Sequence, residues 1–299
     1  MNARSAAARL RAPVQAPDEP AAQGGADLTA RRVREARRRR LTVQGLRLLV
    51  AVVWLGSWEL TTRLGWVDKF FFAQPSEIVL KLWTWINNGT ELGPLWVQVL
   101  TTMEETVGGF VVGSILGIIV GVALGRIAIL ADVLGPYVKA FNAIPRVVLG
   151  ALFAISLGLD IKSKVGTAAI LVFFVVFFNA FQGAREVDRN LMANARILGA
   201  NNRRLTTEIV IPSAMSWIIA SLHTSFGLAL VGAVVGELFG ATAGVGELIY
   251  SAEQNFDANG VFAGMVLLAA IALVAEALIT ALENRLVRWR PQVNTETRI

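Results

Sequence analysis

Hydrophobic residues are concentrated in six stretches of about 20 residues each, and these stretches contain almost no charge. The hydrocarbon core of a bilayer requires about 20 apolar residues of helix, so each stretch predicts a membrane span. The predicted spans are 46–64, 107–124, 138–157, 165–181, 213–239 and 261–282. The pattern therefore predicts an all-α, polytopic membrane protein with about six transmembrane helices.

The composition agrees with a membrane protein and excludes several kinds of chemistry. Hydrophobic residues make up 55% of the 299 residues and charged residues only 17%, whereas soluble domains carry about 25% charged residues. The chain has no cysteine and a single histidine, His223, which excludes thiol nucleophiles and multi-histidine metal centres. It also lacks a G-x-x-x-x-G-K-[ST] phosphate-binding loop. Transport or assembly is therefore favoured over catalysis.

The positive charge of the chain belongs to its N-terminal tail. Residues 1–47 hold 11 arginines and 4 acidic residues, and the remainder holds 17 basic and 18 acidic residues. The composition of residues 1–45 predicts a disordered, basic cytoplasmic tail. The arginine run at 31–40 directly precedes the first span, which favours an anchor to anionic membrane lipid over a nucleic-acid site.

The charges of the connecting segments predict an orientation. Segments 65–105 and 240–260 are net negative, whereas 125–146, 183–212 and 283–299 are net positive. The short segment 158–164 has a net charge of +1 and is the one exception to the alternation. Positively charged connections remain in the cytoplasm. The alternation therefore predicts that both termini are cytoplasmic.

Two predicted spans are unusually rich in glycine at four-residue spacing. In lipid, small residues let helix backbones approach closely, so these faces predict packing within the chain. The glycines are Gly109, Gly113, Gly117, Gly121 and Gly125 in the second span, and Gly232 and Gly236 in the fifth. The first, fourth and sixth spans are rich in leucine, valine and phenylalanine, and we expect these three to face lipid.

The connection between the fourth and fifth spans, 183–212, predicts two short helices joined by a tight bend. Asp188 and Asn201 are suitable N-caps, and Gly199 permits a left-handed bend. Pro212 suits the first turn of the next span. One apolar stripe is predicted on the first helix, formed by Leu191, Ala195 and Leu198. The stripe is too small for a core, so we expect it to dock on a partner protein.

This connection resembles the EAA coupling loop of bacterial ABC importer permeases. That family pattern is Glu-Ala-Ala, three residues, Gly, about a dozen residues, then an apolar residue and Pro. Here Ala193-Asn194-Ala195 is followed by Leu198-Gly199-Ala200 and by Ile211-Pro212. Ala193 replaces the usual Glu, and Asn194 replaces the first Ala. The resemblance implies that the ATPase contacts lie among Leu191, Ala193, Asn194, Ala195, Arg196, Leu198, Gly199, Ala200 and Pro212.

Three further motifs are similar to the nitrate/sulfonate/taurine branch of that family. The motifs are Gln74-Pro75-Ser76-Glu77 after the first span, Ala143-Ile144-Pro145-Arg146 in the third, and the glycine-rich Val231–Glu237 followed by Gly244–Ile249. Each motif is weak alone, but their combination and order are specific. The resemblance covers about residues 46–290, leaving 291–299 as a second cytoplasmic tail.

The resemblance implies a type I transmembrane subunit in the membrane of a bacterial cell. Two permease copies, in a homodimer, would assemble with two cytoplasmic ATPase subunits and receive a small solute from an extracytoplasmic solute-binding protein. ATP and Mg²⁺ would bind to the ATPase, and this chain would bind no cofactor. The identity of the solute stays open among nitrate, sulfonates, taurine, bicarbonate and pyrimidine or vitamin precursors.

Polar groups within the spans are candidates for the translocation pathway because they are costly in lipid. The candidates are Pro145, Arg146, His223 and Glu237. His223 is equally compatible with a hydrogen bond to a neighbouring helix, and Glu237 is expected to reach water at the outer end of its span. The alternatives to an ABC permease are an ion-coupled secondary transporter or a channel subunit, neither of which requires the 183–212 connection.

Overall fold

A computed structural model describes the backbone of residues 19–286 and the side chains of residues 38–281, except that of Arg189. The described part is helical apart from short connections. Its helices are α1 (Glu19–Arg63), α2 (Lys69–Phe72), α3 (Pro75–Asn88), α4 (Leu95–Arg126), α5 (Ala128–Ala143), α6 (Arg146–Leu157), α7 (Ile161–Arg185), α8 (Arg189–Ile197), α9 (Asn202–Arg204), a π-helical turn (Leu205–Val210), α10 (Ile211–Glu237), α11 (Val245–Gln254) and α12 (Ala258–Leu286).

The chain divides into two compact units, Met1–Leu64 and Gly65–Ile299. In the first unit, α1 is helical from Glu19 onward, so the prediction of disorder over residues 1–45 does not hold for 19–45. Alanine and arginine are both good helix formers, and they dominate this stretch. The predicted tails at residues 1–18 and 291–299 lie outside the described residues.

Five helices of the described chain are long and apolar enough to cross a membrane, and the count is six when a bent pair of helices is taken as one span. The bent pair is α5 and α6, which meet at an angle of 91°. The helix is interrupted at Pro145 because proline has no N–H to continue the hydrogen-bond pattern and disfavours helical backbone angles at the residue before it. This agrees with the six spans predicted from sequence.

The centre of the second unit is α7, which packs against α4, α6 and α10. Half of its most apolar window is buried, so the prediction that this span faces lipid was wrong. Its bulky side chains fit against the glycine faces of its neighbours. Gly117 and Gly121 of α4 lie against the backbone of α7 at Phe173 and Phe177, and Gly236 of α10 lies against Lys164 at its start.

These contacts define two ends of the bundle. The last turns of α4 and α7 lie beside the start of α10, next to α8; we call this the α8 end. The start of α4 and α7 lies beside the end of α10 and α11; we call this the α11 end. The bent pair α5–α6 returns the chain from the first end to the second.

Gly121 tests the close approach of α4 to α7. A methyl group at this position would stand 2.6 Å from the carbonyl oxygen of Phe177, which would push the backbones apart. Gly121→Ala should destabilise the protein by about 1–3 kcal/mol and lower its thermal unfolding midpoint in detergent. Gly56→Ala in α1, where no atom lies within 4 Å, is the matched control. An unchanged midpoint in Gly121→Ala would contradict the proposed packing.

Candidate functional site

The connection between α7 and α10 forms the predicted helix, bend and second helix. Asp188 caps α8, its Oδ1 accepting a hydrogen bond from the backbone N–H of Asn190 at 2.7 Å. Gly199 adopts φ +88°, a left-handed conformation that glycine takes at no steric cost. Asn201 caps α9 by accepting from the N–H of Arg204 at 2.9 Å. Pro212 lies in the first turn of α10.

The two faces of α8 differ in their surroundings. Met192 is half-buried and, together with Val187, packs against the core formed by the ends of α7 and α10. On the other side, Leu191 is 49% exposed, and Ile197 and Leu198 at the end of α8 are 83% and 87% exposed. The helix is therefore held to the bundle by one face and presents apolar side chains on another.

The remaining residues implied by the resemblance are distributed over both faces of α8. Ala193 and Arg196 line cavities between α8 and the bundle. Asn194 is exposed, and Ala195 and Ala200 are half-buried. The predicted apolar stripe is thus exposed at Leu191 and Leu198 and partly covered at Ala195.

The π-helical turn fixes this segment to the bundle. Leu205 and Val210 are fully buried, and Arg126 at the end of α4 donates a hydrogen bond from Nε to Oγ1 of Thr206 at 3.1 Å. No break separates the turn from α10, since Ile211 follows Val210 directly with helical backbone angles. A displacement of α8 would therefore be transmitted to α10.

The bend at Pro145 exposes that residue and positions Arg146 at the start of α6. Arg146 donates a hydrogen bond to Oδ1 of Asn142 at 2.8 Å, and its guanidinium lies 5.7 Å from the ring centre of Phe174. Both contacts hold the side chain near the break, where it is half-buried.

His223 contacts Glu276 across the interface of α10 and α12. The Nε2 atom of His223 lies 2.6 Å from Oε1 of Glu276, and the two side chains are 33% and 55% exposed. The contact agrees with the alternative that His223 makes a hydrogen bond to a neighbouring helix.

Glu237 does not reach water, contrary to the sequence prediction, because it is fully buried at the α11 end. Its carboxylate accepts hydrogen bonds from the hydroxyl of Thr102 at 2.6 Å and from the backbone N–H of Gly246 at 2.5 Å. The hydroxyl oxygen of Thr102 also accepts from the N–H of Val245 at 2.8 Å. The carboxylate thus joins α4 to the first turn of α11, where the free N–H groups and the helix dipole favour an anion.

Sequence analysis missed the other members of this polar cluster. Gln98 accepts a hydrogen bond from the N–H of Gly244 at 2.8 Å, Glu105 lies beside Glu237, and Lys164 of α7 is buried with its Nζ donating to the carbonyl of Leu159. Residues 98–105 were assigned to a loop, whereas α4 begins at Leu95. The sequence did contain a signal that the helix begins earlier. The polar residues Gln98, Thr102 and Thr106 recur at the same four-residue spacing as the glycines of α4 that follow them.

Two acidic residues near this end, outside the spans, have shifted pKa values. Burial raises the pKa of Glu247, and the positive charge of Lys164 offsets this only in part. Burial also acts to raise the pKa of Asp257, but hydrogen bonds from Lys81, 2.7 Å away, and from the N–H of Gly260 outweigh it and lower the pKa. Among the described residues, no three metal-ligating side chains come together.

Thr102 tests whether the buried carboxylate holds α11 to α4. Thr102→Val leaves the N–H of Val245 without its acceptor and removes one of the donors to the carboxylate of Glu237, which should cost about 1–3 kcal/mol. Hydrogen exchange of the amides at 244–248 should accelerate. Thr101→Val is the matched control because Thr101 bonds only within its own helix, to the carbonyl of Val97. Equal exchange in the two variants would show that the cluster does not restrain α11.

Comparisons with known proteins agree with this architecture. A family model described as the binding-protein-dependent transport system inner membrane component matches residues 113–288. The aliphatic sulfonates transport permease protein SsuC of Bacillus subtilis is 31% identical over 81% of this chain and 87% of its own length. The riboflavin transport system permease protein RibX of Chloroflexus aurantiacus is 31% identical over 86% and 94%.

A similar fold occurs in a solved structure, the MetNI methionine ABC transporter in an inward-facing conformation. The TM-score is 0.56 at 19% sequence identity, covering 65% of this chain and 96% of the solved chain. The family model covers more than half of the chain, and SsuC exceeds 30% identity over most of it. The chain therefore belongs to the binding-protein-dependent inner membrane component family and is the permease subunit of an ABC importer.

Proposed function

We propose that α8 is the coupling helix through which a cytoplasmic ATPase drives this permease. The observation that carries the proposal is the exposed apolar end of α8. Ile197 and Leu198 are more than four-fifths exposed, whereas Met192 of the same helix packs on the core at the α8 end. Apolar side chains presented in this way by a helix attached to the bundle fit a hydrophobic groove on a partner, as helix-in-groove recognition requires.

The route from α8 to the membrane supports the same proposal. Met192 packs on the core at the α8 end, and the π-helical turn continues without interruption into α10. Because the glycines of α4 and α10 lie in close contact with α7, the three helices would move together. An ATP-driven approach of two ATPase subunits would shift α8 and reorient this group of helices as one body.

In the proposed assembly, the ATPase holds ATP and Mg²⁺, and this chain binds no cofactor. Two copies of the permease form a homodimer that encloses the pathway, and a solute-binding protein docks at the α11 end. Arg146 at the broken span and the pair His223–Glu276 are the pathway candidates. Pro145 would contribute by interrupting the helix and exposing backbone. Glu237 is not retained as a pathway candidate because its carboxylate is enclosed by Thr102 and Gly246.

The orientation of the chain in the bacterial plasma membrane follows from its charges. The α8 end carries Arg126, Arg185, Arg196, Arg203 and Arg204, whereas the acidic residues Glu247, Glu253 and Asp257 lie at the α11 end or in the connection after α11. Positive residues favour the cytoplasmic side. The α8 end and both termini are therefore proposed to be cytoplasmic.

The solute is proposed to be a small anion of the sulfonate, taurine or nitrate kind. The similarity to SsuC, named for aliphatic sulfonates, supports this class. Arg146 supports it chemically, because a guanidinium is suited to planar or tetrahedral oxyanions. Transport assays with radiolabelled taurine, an alkanesulfonate, nitrate and riboflavin would separate these solutes, and uptake of riboflavin alone would overturn the proposed anion class.

Gly199 tests the coupling bend. Valine at φ +88° is strained even where no neighbouring atom obstructs it. Gly199→Val should therefore misplace α8, abolish transport and remove the ATPase from complexes purified in mild detergent. The chain should still insert in the membrane. Gly158→Val is the matched control, because Gly158 has φ +83° and equally open surroundings but lies at the α11 end. Normal transport in Gly199→Val would contradict the assignment of the coupling segment.

Leu198 tests the docking surface itself. Leu198→Ser removes an exposed apolar contact without disturbing the fold, so permease yield and melting temperature should not change. Co-purification of the ATPase should fall by about tenfold or more, the loss expected for an anchor residue in a partner pocket. Leu159→Ser alters a leucine that is 56% exposed in the connection before α7 and should retain the ATPase. Full retention in Leu198→Ser would place the docking surface elsewhere.

A further inference from the structure

Three arginines at the α8 end converge on two adjoining cavities. Arg126 ends α4, Arg185 ends α7, and Arg196 lies in the last turn of α8. One cavity, of about 580 Å³, is lined by Arg126 and Arg196, and the second, of about 370 Å³, is lined by all three. Neither cavity has an acidic residue in its lining.

The orientation of Arg126 leaves most of its hydrogen-bonding capacity unused. Its Nε donates to Thr206 at 3.1 Å, and it makes no other side-chain hydrogen bond with the described residues. Arg185 lies over the ring of Phe181, 5.3 Å from its centre. No ion pair involves Arg126, Arg185 or Arg196 within the described part of the chain, although Glu186 and Asp188 lie between Arg185 and Arg196 in the sequence. Glu186 instead accepts from Gln182, and Asp188 caps α8.

A position at the end of a helix explains each arginine singly, because a positive side chain is favourable there. It does not explain why three arginines from three helices line one cavity and two of them also line a second. Like charges that gather in this way repel one another, and an anion bound between them would remove that repulsion. Guanidinium groups bind phosphate oxygens with paired, charge-assisted hydrogen bonds.

The larger cavity also has an apolar wall. Arg126 and Arg196 adjoin Val122, Ala123 and the start of α5, where Ile127 and Ile129 are 48% and 76% exposed. A site with arginines beside exposed aliphatic side chains, at the ends of two apolar helices, matches an anionic headgroup and its acyl chains. Basic pockets between transmembrane helices bind phospholipid headgroups in this way.

We propose that the cavities between α8 and the ends of α4 and α7 bind the phosphate group of an anionic phospholipid from the adjacent leaflet. The lipid would occupy the membrane-facing side of α8, through Arg126 and Arg196, and leave Leu191 and Leu198 on the opposite side free. It would neutralise the arginines and hold α8 at a fixed height above the bundle. The assignment does not depend on which side of the membrane is cytoplasmic.

The test is native mass spectrometry of the full-length chain in detergent, titrated with phosphatidylglycerol or with phosphatidylethanolamine of the same acyl chains. Wild type should bind phosphatidylglycerol in preference. The double variant Arg126→Gln/Arg196→Gln should lose that preference, with affinity falling about tenfold or more because charge-assisted hydrogen bonds are removed. The control is Arg203→Gln/Arg204→Gln, which removes the same charge from α9, outside both cavities, and should bind as wild type does.

Both double variants retain the arginines of residues 1–47, so lipid bound by that segment affects them equally. Equal loss in the two variants would indicate general surface attraction and overturn the proposal, as would an absence of preference in wild type.

Inorganic phosphate is titrated in parallel by thermal unfolding. Stabilisation by phosphate that requires Arg126 and Arg196, without preference for phosphatidylglycerol, would assign the site to a soluble phosphate and overturn the lipid. Loss of the ATPase from the variant, with lipid binding unchanged, would assign the arginines to the partner and also overturn it.

Discussion

Backbone-to-backbone contact between helices is the constraint on which the rest of this structure depends. In lipid, burying apolar surface between helices provides no hydrophobic free energy, because the surrounding lipid is also apolar. Close packing and interhelical hydrogen bonds must therefore hold the bundle together. The glycines of α4 and α10 provide that contact by letting both helices lie directly on α7. Because α7 is enclosed on these sides, its phenylalanine, valine and leucine side chains fill the interior, although they would suit a lipid-facing helix equally well.

The polar cluster at the α11 end completes this packing with hydrogen bonds. The carboxylate of Glu237 is enclosed by Thr102 of α4 and the N–H of Gly246, while Gln98 receives the N–H of Gly244. A buried carboxylate without such partners would be strongly destabilising. With them, it fixes α11 across the ends of the packed helices. These hydrogen bonds therefore restrain α11 against α4 and the end of α10.

The α8 end has the opposite character. Its short helices are held by a few buried side chains, a bend at Gly199 and the hydrogen bond from Arg126 to Thr206. The surface carries exposed leucines on one side and arginine-lined cavities on the other. A packed bundle with an attached helix is an arrangement suited to an importer driven from outside the membrane, since α8 contacts the core through Met192 and the π-helical turn continues directly into α10.

The sequence by itself determined the features that depend on neighbouring residues. The spans follow from apolar length, the caps at Asp188 and Asn201 from their side-chain oxygens, and the bend at Gly199 from backbone geometry. The family also followed from motif order. Only the tertiary structure decided which faces meet: that α7 is central, that Glu237 is enclosed, and that Arg126, Arg185 and Arg196 share cavities. These three features depend on contacts between residues that are distant in the chain. Because lipid is as apolar as the protein interior, hydrophobicity alone does not show whether a transmembrane helix is buried in the bundle or faces lipid.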